Sequence, residues 1–298
     1  MIQILYGTKE HRWDVTEVCM NQLKKKNVIT IPNNDTIRSQ YFSDQSVGTT
    51  KQVHVILDGR EYAYDDTATV SIHVNDQTIH IKSDPNLSNI YMQLYHWYQE
   101  LSIKYGSFND KVVEQKMVLK SFTGNEKVLE LGGNVGQKSL VIAKIVNPAN
   151  FVTLESNTWR ASKLEENKQA NQFTFSVENA ALSSCKLITQ DFQTIPSEEL
   201  LEGYQWVNTI TWDELTTKYN IVFDTLVLNC NGAFYHILQT TPEILTHIQL
   251  IIMTNDYDTL EQKEYVNSVL VNQFYPVYVE METKGCCPQS YYEIWKRN

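Results

Sequence analysis

Apolar and polar positions change rhythm partway along this chain. Through residues 1–83 the period is two. Val53, Val55 and Leu57 alternate before Asp58-Gly59, a strong hairpin signal, and Tyr62 and Tyr64 alternate after it. Thr67 to Val74 and Thr78 to Lys82 flank Asn75-Asp76-Gln77, which predicts a second hairpin. Asp14 to Lys26 fits a short helix, with Lys24-Lys25-Lys26 as its solvated end. Ile29-Thr30-Ile31 fits a strand entering a turn at Pro32-Asn33-Asn34. These segments predict a small β-rich, sandwich-like domain.

Asp84-Pro85 then opens a helix, with proline in its first turn. Leu87, Ile90, Tyr91, Leu94, Trp97, Tyr98 and Leu101 recur at three and four, which makes one apolar face, and Gly106 is the stop. Residues 84–109 read as a bridge between two domains. From residue 110 strands and helices alternate. Strands are expected at Lys127 to Leu131, Asn150 to Leu154, Thr174 to Val177, Ile221 to Leu228, Gln249 to Met253, Val277 to Glu282 and Tyr291 to Trp295. Helices are expected at Gln137 to Val146, Asn157 to Gln172 and Leu260 to Asn272. The order predicts an α/β domain over residues 110–298, Rossmann-like, with a doubly wound and mainly parallel sheet. Only Thr283 to Gln289, with Gly285 and Pro288, separates the last two strands, so they close the sheet as an antiparallel hairpin.

Composition narrows the class. The chain has 298 residues, 42% of them hydrophobic, enough for two cores. No apolar run is long enough to span a membrane, and Met1 to Gly7 lacks the basic start of a signal peptide. A net charge of −10 disfavours nucleic acid, because no basic excess exists to neutralise phosphates. Five cysteines, at 19, 185, 230, 286 and 287, show neither a disulfide framework nor zinc spacing. Adjacent Cys286 and Cys287 fit a reduced loop. The expectation is a soluble, cytoplasmic protein. His54, His73 and His80 fall on strand segments and read as surface or hairpin-face residues rather than metal ligands.

The chemistry concentrates in one stretch. Val128-Leu129-Glu130-Leu131-Gly132-Gly133-Asn134-Val135-Gly136 reads as a buried strand, an acid and a tight glycine turn before a helix. Phe151-Val152-Thr153-Leu154-Glu155 is a second strand closed by an acid. Glycines let backbone approach a ligand, and Glu155 can accept hydrogen bonds from both hydroxyls of a ribose. A plain glycine turn in an α/β protein is the alternative, and the acid at this distance weighs against it. The turn is Glu130-x-Gly132-x-x-x-Gly136, and a carboxylate at its head repels a pyrophosphate and favours a cationic ligand. This spacing resembles motif I of class I S-adenosylmethionine-dependent methyltransferases. The resemblance implies S-adenosyl-L-methionine as cofactor, whose sulfonium suits an acidic pocket.

Further segments, in order, resemble the FkbM family of methyltransferases, which act on hydroxyls of sugars and glycosides. They are Leu129 to Gly136, Thr153-Leu154-Glu155-Ser156-Asn157, Glu178-Asn179-Ala180-Ala181-Leu182-Ser183, Val207 to Leu215, and Asp224 to Ala233. The resemblance covers nearly all of the second domain. It implies that Glu130, Gly132, Asn134 and Gly136 hold the methionine end, that Glu155 holds the ribose, and that Asn179 and Ala180 face the adenine edge. Asn179 fits a simple turn residue equally well. The implied activity is O-methylation of a sugar or glycan. A β-rich domain joined to such a partner also resembles an arrangement of large DNA viruses, which implies the host cytoplasm.

The acceptor half departs from the family. Its fourth-strand motif reads Asp-x-Glu-Gly, where this chain has Asn229-Cys230-Asn231-Gly232, and Thr254 stands where the family often has Glu. An amide cannot serve as a base at neutral pH. Asp256 and His236 are the candidates to replace it, although Asp256 also fits a helix cap and His236 a packed or surface helix position. Two readings stand. One is an active sugar O-methyltransferase whose acceptor edge is Asn229, Asn231, Asp256 and His236. The other is a catalytically silent protein that binds cofactor or glycan as a binding or scaffolding module. Trp13 and Trp159 could stack on sugar faces or fill cores. The oligomeric state is open, a homodimer among the options.

Overall fold

The computed structural model describes residues 2–8, 10–46, 49, 51–83, 85–190, 193–280 and 291–298. The chain divides into two compact units, Met1–Tyr95 and His96–Asn298. No helix among the described residues is long and apolar enough to cross a membrane.

The first unit holds two four-stranded antiparallel sheets. One runs Arg12–Asp14, Ile2–Gly7, Gln52–Leu57, Arg60–Tyr64. The other runs Lys24–Lys25, Val28–Ile31, Ala68–His73, Thr78–Ser83. Alternate residues of both sheets, Ile4, Tyr6, Val53 and Val55 with Ile29, Ile31, Val70 and Ile72, share one buried cluster. The hairpin at Asp58-Gly59 pairs Leu57 with Arg60, and both turn residues have the positive φ, 50° and 80°, that a two-residue turn requires. The helix expected over Asp14 to Lys26 is corrected. Thr16–Val18 runs into a wide turn, Cys19–Leu23, and Lys24 and Lys25 then pair with Ile29 and Val28. Strand pairing beside the buried Ile29 wins over a further helical turn, so the basic run sits on a sheet edge. His73 and His80 lie ring against ring at 4.8 Å, and His54 Nδ1 is 2.8 Å from Glu61. Trp13 donates from Nε1 to the Phe42 carbonyl at 2.8 Å, a packed rather than a sugar-facing role.

The helix after the first sheets spans Pro85–Glu100, and the division between units falls inside it. Asp84 and the Leu87 side chain lie outside the described residues. Tyr91 donates to Asp66 at 2.7 Å in the first unit. Tyr98 bonds Gln115 and stacks on Phe108 at 4.8 Å in the second.

The second unit is built on seven strands: β1 Val128–Leu131, β2 Phe151–Leu154, β3 Ser176–Glu178, β4 Thr225–Leu228, β5 Leu250–Thr254, β6 Phe274–Glu280 and β7 Tyr292–Arg297. Their order is β3-β2-β1-β4-β5-β7-β6. Neighbours from β3 to β5 pair in parallel, and β7 is antiparallel to both β5 and β6. The turn of that last hairpin, with Gly285, Cys286, Cys287 and Pro288, lies outside the described residues. The helices are α1 Val112–Ser121, α2 Ser139–Ala143, α3 Thr158–Ala170, α4 Trp212–Tyr219, α5 Ala233–Thr240 and α6 Leu260–Leu270.

Each central strand is buried on both faces, because helices cover both. Leu129, Val152, Leu226 and Ile251 pack with Leu215 of α4, Phe234 of α5 and Val266 of α6. Val128, Phe151, Val227 and Ile252 pack with Met117 of α1, Ile142 of α2 and Leu164 of α3. Side-chain caps set the helix starts. Asn157 accepts from the Arg160 N–H, and Thr211 with Glu214 and Thr259 with Gln262 form capping boxes. The α2 helix is shorter than Gln137 to Val146, since the Lys144 and Ile145 N–H groups reach back three residues, a tightened turn, before Pro148. Between β3 and α4 the chain inserts a three-stranded antiparallel sheet, Leu187–Gln190, Gln193–Pro196 and Gln205–Val207.

Candidate active site

From β1 the chain winds outward through β2 and β3, and from β4 it winds the other way to β5. A crevice therefore opens at the carboxyl ends of β1 and β4. A cavity of about 400 Å³ lies there, within the range of small-molecule sites. Gly132 permits the two strand ends to meet. Its φ is +88°, and a Cβ would stand 1.7 Å from the Asn229 carbonyl oxygen. The Gly132 and Gly133 N–H groups donate to the Leu154 carbonyl at 2.9 and 3.0 Å, which folds the turn over the end of β2.

Glu155 closes β2 and ties the turn down. Its Oε2 accepts from the Asn134 N–H and its Oε1 from the Asn157 N–H, each at 2.8 Å. Burial raises its pKa, and the N–H groups of Asn157 and Asn134 pull the other way. Each oxygen takes one protein donor and keeps a lone-pair site, a set that fits the two hydroxyls of a ribose. Ala180 and Leu182 supply an apolar edge beside it.

Glu130 occupies a different place from the one its motif suggests. It is fully buried under the turn, where Ser139 Oγ donates to Oε2 at 2.5 Å and Lys138 Nζ lies 3.4 Å from Oε1, an oxygen without a hydrogen bond. Lys138 lines the cavity and Glu130 does not. The expected bare acid facing a ligand is thus corrected to a buried carboxylate–ammonium pair. Gly136, at φ +98°, packs towards Leu164. Asn179 takes the turn role: its Nδ2 donates to the Glu155 and Ser156 carbonyls at 2.9 and 3.3 Å, and it lies outside the cavity lining.

Asn229, Asn231 and His236 all line the cavity. Thr194 of the insert, Thr240 of α5 and Gln262 of α6 join them, with Asp258 before α6. Asp256 stands behind this wall. Its carboxylate accepts from the Asn231 and Gly232 N–H groups at 2.8 and 3.0 Å, so it caps the turn into α5, and burial raises its pKa. Cys230 also lines the cavity; burial above all, then Asp256, pushes its thiol up to about 12, so it is no nucleophile at neutral pH. Trp159 lies outside the lining, 60% exposed, with its ring edge on Tyr105.

The sequence reading missed a buried acid. Glu114 of α1 accepts from Asn229 Nδ2 at 2.5 Å and from Thr254 Oγ1 at 3.4 Å, and Lys111 Nζ lies 3.1 Å away. It stands 115 residues before Asn229, so no local spacing could reveal it. Lys111, Lys138 and Asp258 in the lining were also unmarked by any motif.

No family model matches the chain, and no curated protein matches it. Among solved structures it is similar to a ribosomal protein L11 methylase from Lactobacillus delbrueckii subsp. bulgaricus, at 12% identity over 66% of this chain and 82% of that one, with a TM-score of 0.42. It is similar to an O-methyltransferase from Bacillus cereus in complex with SAH, at 14% identity over 73% and 92%, TM-score 0.40. It is also similar to an rRNA methylase from Streptococcus thermophilus, at 8% identity over 66% and 99%, TM-score 0.41. These likenesses are distant, and the chain's own strand order and crevice carry the description of its fold.

Proposed function

We propose that the chain is a class I methyltransferase that binds S-adenosyl-L-methionine at the β1/β4 crevice and methylates a hydroxyl of a sugar or glycan. The observation that carries the reading is Glu155, a carboxylate at the end of β2 with hydrogen-bonding capacity left for a vicinal diol. Ala180 and Leu182 suit an adenine edge, and the Lys138 ammonium suits the carboxylate of an amino-acid tail. The turn built by Glu130, Gly132, Asn134 and Gly136 shapes that end. The cofactor supplies a methyl activated on a sulfonium.

The chain's own groups must then align the acceptor hydroxyl and relieve it of its proton. Asn229 and Asn231 orient the hydroxyl, and an imidazole nitrogen of His236 takes the proton. The sugar acceptor is supported by a lining of amides and hydroxyls, Asn231, Thr194, Thr240 and Gln262, and by the FkbM resemblance. The β-rich first unit is read as an accessory, carbohydrate-related module on fold analogy alone.

Calorimetric titration with S-adenosylmethionine, followed by assay of S-adenosylhomocysteine release with a panel of sugar acceptors, tests the reading. His236→Asn should lower turnover by ~10²–10⁴ and leave cofactor affinity unchanged. Full turnover in that variant removes His236 as the base. One observation favours a second reading: the Asp256 carboxylate is engaged by two backbone N–H groups behind the wall. Under that reading the chain is a silent binding module, which takes up cofactor or glycan and releases no product with any acceptor.

A further inference from the structure

The carboxylate missing from the strand edge is supplied by another element. Glu114 is 3% exposed on α1, and its Oε1 receives Asn229 Nδ2 at 2.5 Å, Lys111 Nζ at 3.1 Å and Thr254 Oγ1 at 3.4 Å. Thr254 ends β5 and Asn229 follows β4, two of the three places where the resembled family carries acids. Three groups from separate segments thus converge on one oxygen. A carboxylate only accepts, so the Asn229 nitrogen must face it, which leaves Oδ1 for a hydroxyl donor in the cavity. Asn229 and Lys111 line the cavity and Glu114 does not, so the negative charge lies one side chain behind the wall.

We propose that Glu114 is the relocated acid of this site: a positioning residue that locks the Asn229 amide and offsets the Lys111 ammonium, one of the lining's cations with Lys138 and Arg160, which a sulfonium would otherwise meet uncompensated. The inference rests on the S-adenosylmethionine reading above. The asparagine at 229 follows from the acid at 114. Carboxylates at both positions would set two like charges within hydrogen-bond distance in a buried place, and one would have to hold a proton. Lys111 offsets the Glu114 charge from a more exposed position, 27% against 4% for the two side chains.

S-adenosylmethionine and S-adenosylhomocysteine differ by a methyl and a positive charge on sulfur. The ratio of their affinities reads the potential at that atom together with the room for one methyl, and the opposite shifts expected of Glu114→Gln and Lys111→Gln isolate the charge. Calorimetric titration of the full chain with each ligand gives the ratio. Glu114→Gln leaves the Lys111 ammonium unbalanced and should cut the preference for the sulfonium roughly five- to tenfold. Lys111→Gln should raise the preference. The paired exchange Glu114→Gln with Asn229→Asp keeps one carboxylate and one amide and should restore the wild-type ratio. Asn229→Asp alone sets two carboxylates against each other in a buried place and should melt lower than the wild type.

If Glu114→Gln fails to fold, Lys111→Gln decides the matter, since Lys111 is partly exposed. Wild-type binding with ratios that neither single substitution moves overturns this inference alone. A wild-type chain that binds neither ligand overturns the cofactor reading, and this inference with it.

Discussion

Glu155→Gln tests the ribose contact at constant size. In the native site each carboxylate oxygen accepts one backbone N–H at 2.8 Å, from Asn134 and from Asn157. Glutamine has a single oxygen, so its amide nitrogen would confront one of those N–H groups, donor against donor. One buried donor loses its partner, at ~1–3 kcal/mol, a fall in Tm of roughly 2–10 °C. The ligand loses charge-assisted bonds to two hydroxyls, ~1.5–3 kcal/mol, or roughly ten- to 150-fold in Kd. Calorimetry with S-adenosylhomocysteine and its 2′-deoxy analogue separates the two effects. The wild type should discriminate against the deoxy ligand, and the variant should bind both nearly alike. A variant that still discriminates by the wild-type factor refutes the assignment. The pH dependence has a sign. Burial raises the folded pKa of Glu155, so its ionisation costs stability as pH rises from the ordinary carboxylate value through the raised one. Ligand affinity runs the other way, because the ionised form is the stronger acceptor; it should fall as pH drops through the raised pKa.

Gly132→Ala should cost roughly 2–6 kcal/mol, from left-handed strain and a Cβ 1.7 Å from the Asn229 carbonyl; urea unfolding at wild-type stability would contradict the close approach. Lys263→Met removes the ammonium 2.5 Å from Glu293, both side chains nearly buried, and leaves that carboxylate bonded by the Trp295 Nε1–H at 2.9 Å but without a counter-charge; the loss should be ~3 kcal/mol. Adding Glu293→Leu removes the unbalanced charge but takes the acceptor from the buried Trp295 Nε1–H, so it should recover part of that loss in chemical denaturation; a double variant no better than the single would count against the pair. Asp256→Ala should speed hydrogen exchange at the Asn231 and Gly232 amides, its two donors, by an amount equal to ~1–3 kcal/mol. Unchanged protection there would remove the capping role.

The parallel core was legible in the sequence because its strands are covered on both faces. Val128-Leu129, Phe151-Val152 and Leu250-Ile251-Ile252 are continuous apolar runs for that reason, and their residues divide between two clusters on opposite sides of the sheet. Glu155 was legible because its place at the end of a strand is a matter of local spacing. The α1 helix was not, since Glu114, Gln115 and Lys116 are buried beside Met117 and Val118, and paired polar groups blur the apolar period. The inserted sheet escaped because its strands are three or four residues long and include Thr189, Gln190, Gln193 and Thr194, too short and polar for alternation to register. Glu130 shows the limit in charge. Spacing reveals the acid, and only the fold brings the Lys138 ammonium onto it.

On the proposed function, an adenosyl group with an amino-acid tail fills the crevice between Gly132 and Glu155. Calorimetric titration of the chain with S-adenosyl-L-methionine, run beside NAD and ATP, tests it most directly. Saturable single-site binding of the first, displaced by S-adenosylhomocysteine and weakened by Glu155→Gln, is the expected result. Heat from a phosphate-bearing nucleotide with none from S-adenosylmethionine would contradict it.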